Sequence, residues 1–386
     1  MKKSLLALLF GGLGIGITEF VMMGLLPDIA KDLHISIPEA GHLISAYALG
    51  VVIGAPLLVV IAGSFPPKKI LLALMVMFTV FNGLSAFAPG YSTLFIARLL
   101  AGLPHGAFFG VGSVVASRIA EKGKEAQSVS IMFAGLTIAN IFGVPLGTFI
   151  GHHYSWRFTF VIIVLVGLVT LLSLKLWMPA LPATANRDLK KELSFFKHPE
   201  SWLIIFMIAI GTGGLFSWFS YIAPLLTDVS GFEADSITYV LVLAGFGMFV
   251  GNLAGGKLAD RISPAKASLF LLLAMALALF IIHYAAYNQT LSLIMTFITG
   301  AIAFASAAPI QMLMINSSKG SEMLAASVSQ ASFNIGNALG AFLGGLPLAA
   351  GFDYTSPVWV GTLMALTGSA FAWMLIVRSR KPAYAS

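Results

Sequence analysis

Apolar residues occur along this chain in long blocks separated by short polar breaks. Twelve blocks stand out, near residues 4–27, 40–62, 70–88, 91–116, 128–150, 158–178, 201–224, 237–258, 266–286, 291–315, 322–349 and 357–377. A helix of ~20 apolar residues spans a bilayer, so each block reads as a membrane-crossing helix. No stretch between them is long enough for a soluble domain. The longest polar connection, 179–200, mixes Pro, Ala and Asn with Lys, Asp and Glu and reads as a linker. The pattern predicts an all-α membrane protein of twelve transmembrane helices in two pseudo-symmetric six-helix halves. These are a bundle at 1–178, a cytoplasmic linker at 179–200 and a bundle at 201–386. The Lys-rich piece 187–197 fits equally a segment lying on the membrane surface and a solvated loop.

The halves repeat at an offset of 197 residues. Pro27 then falls on Pro224, Gly50 and Gly54 on Gly247 and Gly251, and Pro67 and Lys69 on Pro264 and Lys266. Asn140, Gly143 and Gly147 fall on Asn337, Gly340 and Gly344. Apolar sequence produces chance Gly matches, so the Pro and Asn matches carry most weight. Two parallel six-helix repeats are an architecture used by secondary transporters, with a substrate site near the midplane. The GxxxG pairs let helix backbones approach closely. They suit both static packing and helices that slide.

Three residues break the apolar pattern. Block 91–116 holds Arg98 and His105 well inside its ends, and the first block holds Glu19. Charge near a bilayer centre costs at least ~2.5–3.5 kcal/mol, so such residues face a cavity or a partner. Arg98, Gly102, His105 and Phe109 stand at i, i+4, i+7 and i+11, on one helical face. Arg98 stays charged and can modulate a neighbour, bind an anion or fix geometry. Of the 15 Asp and Glu, Glu19 alone lies deep in a block. A membrane carboxylate is either a proton carrier or a permanent structural partner. His105 can join a proton relay or be a hydrogen-bonded core histidine. Glu19, Arg98 and His105 are therefore the proton-coupling candidates.

Composition agrees with the pattern. Hydrophobic residues make up 58% of the 386, charged residues 10%, and a large soluble protein is excluded. The absence of Cys removes disulfide and thiolate–metal chemistry. A net charge of +7 could suit nucleic acid, but its placement says otherwise. With the N-terminus inside, 19 of the 22 Lys and Arg fall in cytoplasmic segments, while Lys31 and Arg157 lie outside. By the positive-inside rule both termini are cytoplasmic, and the charge is a topology signal. The first block has no clear cleavage site and reads as a retained span.

Several motifs resemble the major facilitator superfamily over the whole chain. Gly256-Lys-Leu-Ala-Asp260-Arg261, with Pro264 and Lys266, is similar to that superfamily's cytoplasmic loop signature. Arg98 with Gly102 resembles its fourth-span signature. Gly143-Val-Pro145-Leu-Gly147 resembles the fifth-span signature of its antiporter branch. Thr18-Glu19-Phe20 with Gly24-Leu-Leu-Pro27, Pro104-His105-Gly106-Ala-Phe-Phe109-Gly110 and Trp156-Arg157 resemble the proton-coupled drug and sugar efflux branch. Within that branch they look similar to the arabinose-efflux-like group of bacterial inner-membrane permeases. In the first half, Gly63 and Ser64 stand where Asp260 and Arg261 stand in the second, so the charged pair is missing there.

The resemblance implies alternating access driven by a proton gradient, with no cofactor. Expected partners are a small sugar or drug-like molecule, protons and the bilayer, with no nucleic acid and a monomeric chain. It also implies a cavity lined by spans 1, 4, 7 and 10, with 2, 5, 8 and 11 beside them. Candidate substrate contacts are Met23, Tyr47, Phe109, Asn140, Phe216, Trp218, Tyr221, Gln311, Gln330, Asn334 and Asn337. Gln330, Asn334 and Asn337 stand at i, i+4 and i+7 and form a second polar stripe. Amides suit hydroxyl-bearing ligands and interhelical bonds alike. Asp260, Arg261, Gly143, Pro145 and Gly147 are the conformational-motif candidates. A passive uniporter, a nucleoside or metabolite exporter, a membrane receptor and a membrane enzyme are the alternatives. Gly251–Leu258 nearly matches a phosphate-binding loop but lacks the Ser or Thr after Lys257 and follows no strand. Gly12-Leu-Gly14-Ile-Gly16 lies inside a span without the strand context of a dinucleotide turn. Adjacent His152 and His153 do not share a helical face, and no zinc pattern occurs.

Overall fold

A computed structural model describes residues 3–35, 37–62, 64–183, 193–233, 236–318 and 320–379. Among these residues every regular element is helical. The first half holds α1 (Lys3–Leu33), α2 (Ile37–Ala62), α3 (Pro67–Ala86), α4 (Tyr91–Arg118), α5 (Glu125–Ile138), α6 (Val144–His153) and α7 (Trp156–Trp177). The second holds α8 (Pro199–Gly211), α9 (Gly213–Phe219), α10 (Ile222–Pro224), α11 (Ile237–Ile262), α12 (Pro264–Ala285), α13 (Gln289–Ala305), α14 (Ala307–Asn316), α15 (Glu322–Ala349) and α16 (Ser356–Ser379).

Eleven helical stretches among the described residues are long and apolar enough to cross a membrane. The twelfth expected span is α15, a helix of 28 residues. It falls outside that set because Ser327, Ser329, Gln330, Ser332, Asn334 and Asn337 dilute its apolar content. The chain is a multi-pass membrane protein whose most polar span carries the amide stripe.

The residues group into two compact units. One comprises Met1–Glu192 with Gly320–Ala331, the other Leu193–Lys319 with Ser332–Ser386. The start of α15 thus belongs to the first unit and its remainder to the second.

In the first unit α2 lies against α4, α1 against α5 and α7, and α3 against α4 and α7. Glycine sets the tightest of these crossings. A Cβ on Gly50 or Gly54 would run into the backbone carbonyls of Leu99 or Leu103, and one on Gly102 into the carbonyl of Tyr47. The second unit repeats the device. Gly247, Gly251 and Gly255 of α11 meet the carbonyls of Phe297, Ala301 and Ala305 on α13.

The fifth predicted span is broken. A π-helical turn, Ala139–Gly143, separates α5 from α6. Pro145 follows at once; it has no N–H to donate and its ring crowds the carbonyl four residues back, so the regular ladder cannot continue. Gly143 lets Ile17 of α1 close on this bend, and Gly147 does the same for Val21 and Thr159. The Thr159 hydroxyl donates to the Gly147 carbonyl at 2.7 Å.

Both ends of the first unit are tied by polar contacts. Lys68 donates to the carbonyls of Lys175 at 2.8 Å and Met178 at 2.6 Å, closing the C-terminus of α7. These carbonyls lack helical partners and carry the negative end of the helix dipole. Gly63 lies outside the described residues, and Ser64 is exposed. At the other end Arg157 donates to Asp32 and to the carbonyl of Ala88. Trp156 Nε1 donates to the same carboxylate at 3.0 Å. The Arg157 hydrogen bond, ahead of the Trp156 bond and the guanidinium charge, holds the Asp32 carboxyl below its ordinary range. His152 Nδ1 lies 3.1 Å from Asp28 Oδ1.

In the second unit Asp260 is half-buried and Arg261 exposed, in the last turn of α11. The Lys-rich residues 187–191 lie outside the described residues.

Candidate functional site

The polar stripe of α4 meets a matching set of side chains on α1, α2 and α3. Arg98 is fully buried, and Tyr47 and His105 are each 2% exposed. A buried cation persists only when its donors are used. Arg98 Nη1 donates to the Thr18 hydroxyl at 2.9 Å and Nη2 to the Thr18 carbonyl at 3.0 Å. The Thr18 hydroxyl lies 2.6 Å from Asn82 Oδ1 and donates to it. Asn82 Nδ2 donates to the carbonyl of Phe78 at 2.9 Å. Three helices are thereby joined through the Thr18 hydroxyl.

The face of that guanidinium is also occupied. Its carbon sits 4.3 Å from the Tyr47 ring centroid and 5.8 Å from that of Phe160. Stacking of a desolvated guanidinium on an aromatic ring is favourable by ~2 kcal/mol. Tyr47 Oη and His105 Nδ1 lie 3.2 Å apart and share one hydrogen bond, its direction set by the imidazole tautomer. Gly102 makes this bridge possible. Standing between Arg98 and His105, it admits the Tyr47 backbone against α4, so one phenol reaches both residues. The aromatic line continues from His105 to Phe109, 5.4 Å between centroids, and to Phe133, stacked on Phe109 at 5.0 Å.

Glu19, next in sequence to Thr18, is half-buried. It makes no salt bridge or hydrogen bond among the described residues, yet its charge interacts with that of Arg98. Among the described residues, Arg98 Nε is the one buried guanidinium nitrogen without a hydrogen-bond partner. The arrangement presents a fixed, stacked cation near a carboxyl group that no salt bridge or hydrogen bond holds among the described residues.

The sequence-predicted residues divide. Arg98, His105, Tyr47 and Phe109 form one continuous cluster, with Glu19 at its edge. Phe109 is fully buried within it. The Met23 side chain lies outside the described residues. Asn140 is half-buried in the π turn, and its amide donates to the Leu136 carbonyl at 3.0 Å.

In the second unit, Trp218 packs into the apolar core with Ile222, Met275 and Ile282. It borders a small cavity about the size of one water molecule, with Ser292, Met295 and Thr296. Phe216 is half-buried against Gly340, and the Tyr221 hydroxyl donates to the Ala341 carbonyl at 2.8 Å. Gln311 on α14 and Asn334 on α15 are buried, and Asn337 is half-buried. Gln330, also buried, lies on the part of α15 that belongs to the first unit. Gln311, Gln330 and Asn334 are all engaged by neighbours.

Sequence reasoning missed Thr18 and Asn82 as site residues. Thr18 entered only as part of a motif. Asn82 is the single amide in α3, set among mostly apolar residues, and that was the available signal.

Comparison with known proteins gives a consistent result. The family model described as Major Facilitator Superfamily matches residues 8–326. AraJ of Escherichia coli (strain K12) is 40% identical over 354 residues, covering 92% of this chain and 90% of that protein. The inner membrane transport protein YdhP of the same organism is 42% identical over 361 residues, covering 94% and 92%. Among solved structures, the proton:xylose symporter XylE bound to 6-bromo-6-deoxy-D-glucose has a similar fold. Its TM-score is 0.76 at 15% identity, covering 96% of this chain and 95% of that one.

Proposed function

Because the chain belongs to the Major Facilitator Superfamily, and is a transporter rather than an enzyme, we propose that it exports a small organic molecule in exchange for protons. The observation that carries this reading is the pairing of unequal charges in the first unit. Arg98 is immobilised by Thr18 and Tyr47, while Glu19 beside it is held by no salt bridge or hydrogen bond among the described residues. Each proton that Glu19 gains or loses then changes the local net charge by one against a constant background. A ligand or a conformation that favours one charge state is coupled to the proton by linkage.

Export is supported by the likeness of Gly143-Val-Pro145-Leu-Gly147 to the antiporter branch, while the similarity to AraJ and YdhP supports transport itself. Proton coupling agrees with the description of XylE as a proton symporter. The substrate is a sugar or drug-like molecule. Its candidate contacts are Met23, Tyr47, Phe109 and Asn140 in the first half and, considered separately, Phe216, Tyr221, Gln311, Gln330, Asn334 and Asn337; Trp218 is left out because its ring is buried in apolar core. The amides offer both donors and acceptors, which suits a hydroxyl-bearing ligand. His105 orients Tyr47. Asp260, Arg261 and the bend at Gly143, Pro145 and Gly147 govern the change of conformation. The chain works as a monomer in the bacterial inner membrane with both termini in the cytoplasm, in keeping with its Lys and Arg distribution.

A thermal-shift screen of sugars, nucleosides and cationic drugs would select a ligand. Its flux is then followed in proteoliposomes under an imposed pH gradient. Glu19→Gln is expected to abolish the pH-driven component while ligand binding persists. Undiminished pH-driven flux in Glu19→Gln would refute the reading.

A further inference from the structure

The hydrogen bonds behind Arg98 have a definite polarity. Asn82 Nδ2 donates to the Phe78 carbonyl of its own helix at 2.9 Å. The opposite amide orientation would set two acceptors against each other there, so the orientation is fixed by chemistry. Asn82 Oδ1 therefore faces Thr18 as an acceptor, and the Thr18 hydroxyl must spend its only proton on it, at 2.6 Å. The Thr18 oxygen is left to accept, and it accepts from Arg98 at 2.9 Å. Donors run one way along the line, from Arg98 to Thr18 to Asn82 to Phe78. Asn82 and Thr18 are both fully buried, so water does not compete.

We propose that Asn82 is a positioning residue for Arg98. By holding the Thr18 hydroxyl in one rotamer it keeps both Nη groups on Thr18 and the guanidinium from pairing directly with Glu19. The role rests on the reading that Glu19 exchanges protons, and it adds a third helix, α3, to the coupling site. Without Asn82 the Thr18 hydroxyl turns to bond its own helix, as buried threonines do. Arg98 then keeps one firm acceptor, the Thr18 carbonyl, and its other nitrogens swing toward Glu19.

The purified full-length protein tests this with the proton itself as probe. Infrared difference spectra across a pH series report the protonated carboxyl band, and its loss in Glu19→Gln assigns the band. Asn82→Leu and the isosteric Thr18→Val are each expected to change the proton affinity of that band by about threefold or more, ~0.7 kcal/mol. The double variant is expected to go no further, because both act on one line. Thr18→Ser restores the wild-type midpoint. Wild-type midpoints in folded Asn82→Leu and Thr18→Val would overturn the positioning role.

A band that survives in Glu19→Gln refutes the proton reading alone. The line is then judged by thermal unfolding. Asn82→Leu must cost less in an Arg98→Lys background, where the two-pronged grip on Thr18 is already lost. Additive costs would overturn it.

Discussion

Arg98 grips Thr18, not Glu19. Its two Nη atoms donate to the Thr18 hydroxyl and carbonyl at 2.9 and 3.0 Å, and no ion pair within 4.0 Å joins it to the neighbouring acid. A direct pair would lock both charges, since breaking a buried pair is costly. Placing the cation on the residue beside the acid keeps its field near Glu19 without a direct ion pair. Arginine suits the task because its planar fork meets two acceptors at once while its face stacks on Tyr47. A lysine has neither the fork nor the face.

Tyr47 does two jobs that substitution separates. Its ring lies under Arg98, and its hydroxyl shares a hydrogen bond with His105. Tyr47→Phe keeps the stacking and loses the hydrogen bond, at an expected cost of ~1 kcal/mol in stability. Tyr47→Leu loses both and leaves a void, at ~3 kcal/mol. Thermal unfolding of the two purified variants in detergent checks the order. Equal costs would mean that the stacking contributes nothing.

Gly102 sets where α2 can lie. A Cβ there meets the Tyr47 carbonyl and the Val51 backbone nitrogen, both main-chain atoms that cannot rotate aside. Gly102→Ala is expected to destabilise by ~1–3 kcal/mol, as overpacking does. It also moves Tyr47 off Arg98, so transport falls further than stability. Gly90→Ala is the control, because nothing lies within 4 Å of its missing Cβ. The check is thermal unfolding beside ligand flux in proteoliposomes.

The helices, their number and the α4 stripe could be read from the sequence because bilayer thickness and helical period are simple rules. Arg98 and His105 were conspicuous as polar residues in apolar surroundings. Thr18 was not, since a threonine satisfies itself on its own helix almost anywhere. That Asn82 reaches Thr18 across 64 positions depends on how α3 packs against α4 and α7, which no local spacing encodes. Trp218 illustrates the converse. An aromatic on the seventh span looked like a ligand contact, but its ring fills the core of the second unit. Helical period gives a face, but which face meets lipid, core or cavity is decided by the neighbouring helices.

The Asp32–Arg157 contact should show itself in acid. Arg157 holds the folded-state carboxyl below its ordinary range, so the contact stabilises fully above the unfolded value of ~3.9. That contribution is lost as pH falls through the lower folded value. Asp32 is nearly half exposed, at 46%, so solvent screening keeps the effect below ~1 kcal/mol. Asp32→Asn is expected to unfold at a lower temperature than the wild type near neutral pH. The gap closes as pH drops below ~4. A gap that is constant with pH would assign the loss to the Trp156 hydrogen bond or to packing.

Ser263 marks a strained turn between α11 and α12. Its φ of 90° and ψ of 147° lie where a side chain crowds its own backbone, in a region essentially reserved for glycine. Its hydroxyl makes no capping hydrogen bond to offset that cost. Pro264 follows and restricts Ser263 further. Such a conformation costs of order 1–3 kcal/mol, whereas glycine adopts it freely but adds disorder to the unfolded chain, ~0.4–1 kcal/mol. Ser263→Gly is therefore expected to stabilise the protein by ~1 kcal/mol, read as a higher unfolding temperature. Ser263→Ala keeps the Cβ and the strain and should give no gain. If the turn must flex during transport, relieving it slows or speeds flux without changing ligand affinity, so both variants should also be compared for flux. A Ser263→Gly protein no more stable than Ser263→Ala would mean that the turn is not under backbone strain.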